Sequence, residues 1–332
     1  MTVLVTGGAG YIGAHVVRLL QQAGRDVLVV DDLSTGRRER LGGAEVVVAD
    51  VADSASVRVL AAAMSSNGVR QVVHFAARKR VDESVARPAW YFRQNVTGLA
   101  NVVEAMETAG ADQLVFSSSA AVYGATEEAS VAEDAPTVPV NPYGETKLAG
   151  EWLLRDAAHA GVLRGVALRY FNVAGSGWDD LGDPAVLNLV TMVLDRLARG
   201  EAPRVFGTDY ATPDGTCVRD FVHVLDLARA HVAALERTAA APAGTCDVFN
   251  VGTGEGASVA RVVQELVRLT GIDTGVDYAP RRAGDPPSVV ASVDRIREVL
   301  GWTAQEDLES ILASAWSAWQ AQPARTPAPG VV

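Results

Sequence analysis

Short apolar runs alternate with longer amphipathic stretches through the first half of the chain. Thr2–Thr6 reads as a strand, followed by a helix over Tyr11–Ala23 with Ile12, Val16, Leu19 and Leu20 on one face. Gly24 ends that helix. Further strands are predicted at Asp26–Asp31, Glu45–Ala49, Gln71–Phe75, Gln113–Ser117 and Gly165–Tyr170. Helices are predicted near 55–67, near 88–110 and over Tyr143–Ala160. Strands that are apolar on both faces and alternate with helices call for an α/β fold built on a doubly wound parallel sheet.

After about residue 175 this rhythm breaks. Gly175–Pro184 reads as a loop, Ala185–Gly200 as a helix and Phe206–Gly215 as a turn-rich stretch. The expected organisation is a dinucleotide-binding domain over 1–175 and a smaller α/β substrate domain over 176–320. Segments of the second are expected to return to the first, and a Pro/Ala-rich tail over 321–332 is expected to be disordered.

The 332 residues carry a formal charge of −11, which repels nucleic acid and anionic lipid, so phosphate must be bound locally if at all. Cys217 and Cys246 form neither a metal-binding spacing nor a disulfide framework. No secretion signal or run of about 20 apolar residues is visible, which predicts a cytoplasmic protein without membrane contact. The cations are uneven: of 29 basic residues, 27 are arginine, and only Lys79 and Lys147 are lysine.

Gly7, Gly10 and Gly13 lie between the first strand and the first helix. This spacing suits a tight turn, backbone approach to a pyrophosphate and close helix–strand packing, with the helix N-terminus facing the anion. Asp31 ends the second strand, where a carboxylate binds ribose hydroxyls and repels a 2′-phosphate, so NAD is expected over NADP. Asp32 follows it, and Asp50-Val51 ends the third strand near the adenine edge. Arg37-Arg38-Glu39-Arg40 reads as a solvated loop, and His74 and His223 as structural residues.

Tyr143 and Lys147 stand four apart just after Pro142, a helix-start residue, and so share one helical face. Seven tyrosines and two lysines would give only about 0.04 such pairs by chance. A cation close to a phenol favours the phenolate, and lysine brings a compact charge on a flexible stem. Ser119, at the carboxyl end of the fifth strand, is the candidate to bind the reacting oxygen and pass its proton to Tyr143.

These elements resemble the extended short-chain dehydrogenase/reductase family, and the match continues in order to about residue 320. It runs through His74-Phe75-Ala76-Ala77-Arg78-Lys79, Leu168–Gly175, Asp214–Leu227 and Pro280–Asp285. Within that family the segments look most like those of the UDP-sugar 4-epimerases. The resemblance implies a Rossmann fold and reversible epimerisation at C4′ by transient hydride transfer to tightly bound NAD. It also implies a homodimer through helices near 88–110 and 142–161. Cofactor contacts are implied for Gly7, Gly10, Tyr11, Ile12, Gly13, Asp31, Asp32, Asp50, Val51, Phe75, Ala76, Ala77, Lys79, Asn95, Ser117, Tyr143, Lys147 and Tyr170. Substrate contacts are implied for Lys79, Ser119, Tyr143, Phe171, Asn172, Asn188, Arg219, Arg282, Asp285 and Val289. Arg219 and Arg282 can bind a diphosphate bidentately. Small Val289 replaces a bulky aromatic, which predicts some tolerance of UDP-N-acetylhexosamines.

Related 4,6-dehydratases carry an Asp-Glu pair after the serine. Here Ala120-Ala121 stand there, so dehydration is not expected. A different nucleotide-sugar epimerase and a non-catalytic NAD-binding sensor are the remaining alternatives; a sensor would not need Ser119, Tyr143 and Lys147 together. Arg80 and Asp82 replace small residues of the family loop, and the sequence offers no reason for Asp82. No metal ligand set is apparent.

Overall fold

A computed structural model describes residues 2–126, 128, 130–282 and 285–321. Its strands in chain order begin with β1 (Val3–Thr6), β2 (Val27–Asp31), β3 (Glu45–Val48), β4 (Gln71–His74), β5 (Gln113–Ser117) and β6 (Arg164–Tyr170). They continue with β7 (Asn172–Ala174), β8 (Arg204–Phe206), β9 (Val218–His223), β10 (Cys246–Val251), β11 (Gly256–Ser258), β12 (Asp277–Ala279) and β13 (Ser288–Val289). The helices are α1 (Tyr11–Gln22), α2 (Ser56–Ser66), α3 (Val81–Ala86), α4 (Pro88–Phe92), α5 (Gly98–Ala109) and α6 (Pro142–His159). Then come α7 (Leu189–Ala198), α8 (Val224–Ala240), α9 (Val259–Thr270), α10 (Asp294–Leu300) and α11 (Leu308–Ala321).

Seven strands form one parallel sheet in the order β10-β6-β5-β4-β1-β2-β3. Alternate residues of its inner strands enter two separate cores. Val3, Val5, Val29, Val73 and Val115 face α1, α8 and α10, while Leu4, Leu28, Val30, Val72 and Leu114 face α2, α5 and α6. Both faces are dry, which is why these strands read as unbroken apolar runs rather than alternating ones. Each buried Leu or Val contributes roughly 1.5–3 kcal/mol of transfer free energy. With both faces filled, polar side chains gather at the two ends of the strands: Gln71 and Gln113 pair at the amino edge, and a larger polar cluster lies along the carboxyl edge.

The chain returns to this sheet after leaving it. β10 pairs with β6 from Cys246–Gly165 to Val251–Tyr170, and α8 packs beneath β5 and β6. The other strands build a small sheet, β11-β9-β13 with β7 also on β9, packed on α7, α9 and α11. Among the described residues, no helix is long and apolar enough to cross a membrane.

Three expectations are corrected. The helix expected over 88–110 is interrupted by a π-helical turn at Arg93–Thr97, between α4 and α5. Its wider ring rotates Gln94 and Asn95 toward the loop after β4. The helix expected over 185–200 starts at Leu189, because Asn188 is extended and closes a capping box with Thr191. Arg38–Leu41 is a 3₁₀ turn rather than a solvated loop: Arg40 is buried and donates to the Leu181 and Gly182 carbonyls, tying the first domain to the loop after β7. Of the expected tail, Ala321 ends α11 and 322–332 lie outside the described residues.

Candidate functional site

The turn after β1 is shaped for an extended anion. Gly7 has φ +68°, and a Cβ on Gly13 would lie 2.4 Å from the Gly7 carbonyl oxygen. A Cβ on Gly10 would meet only that same oxygen, at 3.3 Å, so its Cα borders open space. No side chain caps α1 and no acidic residue occupies its first turn, so the first-turn amides of Tyr11, Ile12 and Gly13 face a cradle without a built-in partner. The Tyr11 side chain points away, its hydroxyl donating to the Gly175 carbonyl at 2.5 Å. One strand over, the buried Asp31 carboxylate accepts the Ala9 and Leu33 amides at 2.9 Å each. Burial raises its pKa against those two amides, and each oxygen keeps lone pairs for hydroxyl donors. These residues fit a dinucleotide with free ribose hydroxyls.

Asp50 and Val51 follow β3. Asp50 accepts the Ala52 amide at 2.9 Å and Val51 is buried. After β4, Phe75 packs on His231 at 4.6 Å between ring centroids, and the Ala76 amide donates to Thr6 Oγ1. Ala77 is half-buried and Lys79 is exposed. Asn95 is buried, its amide clamping both backbone groups of Arg78 and donating to Thr146 on α6. His74 ends β4, buried against Thr6 at 2.8 Å, with burial pushing its imidazole down to about 3. His223 caps α8.

Pro142 is the first residue of α6, and Asn141 caps it by accepting the Gly144 amide at 2.9 Å. The helix brings Tyr143 and Lys147 under the carboxyl ends of β5 and β6, beside Ser119, all three buried. Lys147 Nζ donates to the Ser117 carbonyl at 2.8 Å and lies 5.9 Å from the centre of the Tyr143 ring. Burial pulls the ammonium down to about 8, opposed by the Glu151 carboxylate. The phenol departs from expectation: burial raises its pKa, and the hydrogen bond with Ser119 only partly offsets this. Desolvation disfavours the charged phenolate, so the packing here works against the shift that a nearby cation favours. Ser119 Oγ also accepts the Ala121 amide at 3.2 Å, so it closes the turn as well as facing Tyr143. Tyr170 is pushed up by burial and by Tyr143, and Ser117 Oγ contacts His231 Nε2 at 3.0 Å.

Across the cleft, Phe171 is buried with Val122, Tyr123 and Leu148, and Val289 packs against that cluster. Asn172 begins β7 and is exposed, while Asn188 caps α7 and donates to Asp183. Arg219 pairs in register with Val289, donates to the Pro286 carbonyl and lies 3.7 Å from Asp285. Arg282 lies over Phe206, 3.9 Å from its ring centre. Ala283 and Gly284 lie outside the described residues. Asp82 finds its reason here: it forms a salt bridge with Arg80 at 2.5 Å in the first turn of α3.

Sequence reasoning missed the brace behind the cluster. Glu151, one turn beyond Lys147, forms a buried salt bridge with Arg169 at 2.7 Å and accepts the Ser118 hydroxyl. Arg169 also reaches Tyr123 and the Glu133 carbonyl, and Tyr123 donates to Asn250 on β10. The 143–147–151 spacing was the available signal, because all three positions share one helical face.

This glycine turn, the buried Asp31 and the Ser–Tyr–Lys cluster occur on a chain that belongs to the NAD dependent epimerase/dehydratase family, whose model matches residues 3–252. Among curated relatives, the UDP-glucose 4-epimerase of Azospirillum brasilense is 47% identical over 96% of this chain and 91% of its own length. The crystal structure of a UDP-glucose 4-epimerase from Stenotrophomonas maltophila, with bound NAD and formylated UDP-arabinopyranose, superposes with a TM-score of 0.90. It is 39% identical and covers 97% of this chain and 98% of its own. The Bifidobacterium longum UDP-glucose 4-epimerase in complex with NAD+ and UDP is 35% identical with a TM-score of 0.87, over 96% of this chain and 98% of its own.

Removing one member of the brace strands a buried charge, whereas removing both does not. Arg169→Met should cost about 3–5 kcal/mol of unfolding free energy, and the double variant Arg169→Met/Glu151→Met distinctly less. Urea denaturation of the two proteins checks this; equal losses would contradict the buried pair.

Proposed function

We propose that this protein interconverts UDP-galactose and UDP-glucose by reversible epimerisation at C4′, with NAD retained through every turnover. The observation that carries the reading is the buried meeting of Ser119, Tyr143 and Lys147 beside the glycine turn. Tyr143 serves as acid and base, Ser119 shares the reacting oxygen, and Lys147 supplies the cation. The pyrophosphate would rest on the amides of Gly10–Gly13 and the adenosine ribose on Asp31, with Asp32, Asp50, Val51, Phe75, Ala76, Ala77, Lys79, Asn95, Ser117 and Tyr170 lining the remaining cofactor path. Arg219, Arg282 and Asp285, with Asn172, Asn188 and Phe171, would hold UDP. In this reading, 1–175 is the cofactor domain and 176–320 supplies the sugar-nucleotide side.

Bound NAD supplies the two-electron acceptor that takes the C4′ hydrogen and later returns it, and its oxidised ring adds a positive charge. The remaining tasks fall to the chain. Tyr143 accepts the proton of the 4′-hydroxyl through Ser119 as the carbonyl forms, and Lys147 favours the ionised phenol. Anchored by UDP, the 4-keto sugar turns to present its other face. Tyr143 then returns the proton to the oxygen, completing the inversion with no net oxidation. Ala120 and Ala121 offer no acid or base for eliminating water.

The chain is further proposed to act as a homodimer in the cytoplasm. Trp152 on α6, Phe92 on α4 and Val85 on α3 are exposed apolar residues on neighbouring helices, a patch suited to a second copy. Both cysteines are free thiols, in keeping with a reducing compartment.

Purified protein given UDP-galactose without added NAD should yield UDP-glucose; no conversion, even after loading with NAD, would refute the reading. Tyr143→Phe should lower turnover by about 10²-fold or more while still binding NAD, since it removes the acid–base group alone. Near-normal turnover would remove Tyr143 as the base. Val289 is half-buried and small where the family resemblance implies a bulky aromatic, which supports a wider sugar pocket, so UDP-N-acetylgalactosamine should also be turned over. Its complete rejection by protein active on UDP-galactose would refute that breadth.

A further inference from the structure

Arg78, next to the exposed Lys79, makes an extensive set of side-chain contacts. Its Nη2 donates to Asp32 Oδ2 and its Nη1 to Ser34 Oγ, both at 2.9 Å, and its Nε donates to Gln94 Oε1 at 3.2 Å. Its guanidinium carbon lies 5.3 Å from the centre of the Trp90 ring. The backbone beneath is held by Asn95, whose side chain accepts the Arg78 amide at 2.8 Å and donates to its carbonyl at 3.0 Å. Gln94 in turn donates to Asp50 Oδ2 at 3.4 Å, and Ser34 donates to Asp32 at 2.6 Å.

The sheet order gives this chain of contacts its meaning. Arg78 follows β4, Asp32 follows β2 and Asp50 follows β3, with β1 lying between β4 and β2. Neighbouring strands are about 4.8 Å apart, so a link from the end of β4 to the end of β2 must span about 10 Å across the end of β1. That strand opens into the Gly7–Gly13 turn. The contacts Ser34–Asp32–Arg78–Gln94–Asp50 therefore form a collar over the carboxyl ends of β4, β1, β2 and β3. A ligand that touches both Asp31 and the first turn of α1 lies within it. The π-helical turn at Arg93–Thr97 supplies both Gln94 and Asn95, so the irregular backbone there has a purpose.

We propose that Arg78 is a latch on the bound dinucleotide: its side chain closes a collar around the adenosine end of the cleft and sets how slowly NAD leaves. The inference rests on the NAD reading above. The ion pair is partly exposed, with side chains 23% and 29% accessible, so it can open to admit the cofactor and close behind it.

The test loads the purified chain with NAD, removes free cofactor by gel filtration and follows exchange of the bound NAD against excess radiolabelled NAD. Arg78→Leu keeps an apolar stem and loses the guanidinium; its bound NAD should exchange at least tenfold faster than that of the unaltered chain. Gln94→Leu opens the collar on the other side without changing charge and should exchange at least threefold faster. The double variant should be no faster than Arg78→Leu. Arg87→Leu removes the other guanidinium on Trp90, 3.9 Å from its ring centre, but no link of the collar, and should leave exchange unchanged. Exchange within twofold of the unaltered chain in Gln94→Leu, or in a folded Arg78→Leu, overturns the latch, as does equal acceleration in Arg87→Leu. An unaltered chain that retains no NAD overturns the cofactor reading, and the latch with it.

Discussion

The site depends on keeping one ammonium charged where water cannot reach it. Lys147 is almost wholly buried, and burial, opposed by the Glu151 carboxylate, pulls its pKa down to about 8. A charge in that position needs nearby acceptors and an opposing charge. The Ser117 carbonyl provides the first and Glu151 the second. Glu151 is itself buried, so it needs Arg169, and Arg169 needs Tyr123 and the Glu133 carbonyl. The requirement therefore passes from α6 through β6 and, by way of Tyr123 and Asn250, to β10. The same brace holds Ser118, and so fixes the backbone next to Ser119.

The dry sheet and this polar edge are two sides of one arrangement. Because both faces of the inner strands are filled by apolar side chains, the carboxyl ends are where polar chemistry can be placed. β1 leads into the glycine turn, β2 ends in the buried Asp31 carboxylate, and β5 with α6 brings Ser119, Tyr143 and Lys147 together. Burial raises the pKa of the Tyr143 phenol and the hydrogen bond with Ser119 opposes that rise, so the packing around the cluster acts on the tyrosine as it does on the lysine.

Much of this was legible along the chain, and the misses share a cause. Apolar runs located β1 to β6 within a residue or two, and Pro142 marked the start of α6. Local periodicity could not show that 88–110 contains a π-helical turn, because the apolar pattern changes little when one residue is inserted into a helical ring. Nor could it show that Arg40 is buried while Arg38 is exposed, since adjacent arginines look alike until a distant loop supplies the Leu181 and Gly182 carbonyls. Tyr143 was readable as the candidate acid–base group, but the direction in which packing moves its pKa was not, because desolvation is a property of the packed surroundings.

Residue order by itself determined the α/β alternation, the glycine turn, the carboxylate at the end of β2 and the helical face shared by Tyr143 and Lys147. These follow from periods of two and 3.6 residues and from steric rules that act within a few residues. Only the tertiary structure decided that β10 joins the first sheet, that Glu151 and Arg169 meet, and that Arg78 rather than Lys79 bridges the ends of β4 and β2. Those contacts join residues from 18 to more than 80 positions apart, and their energies depend on strand order and burial, which no local pattern encodes.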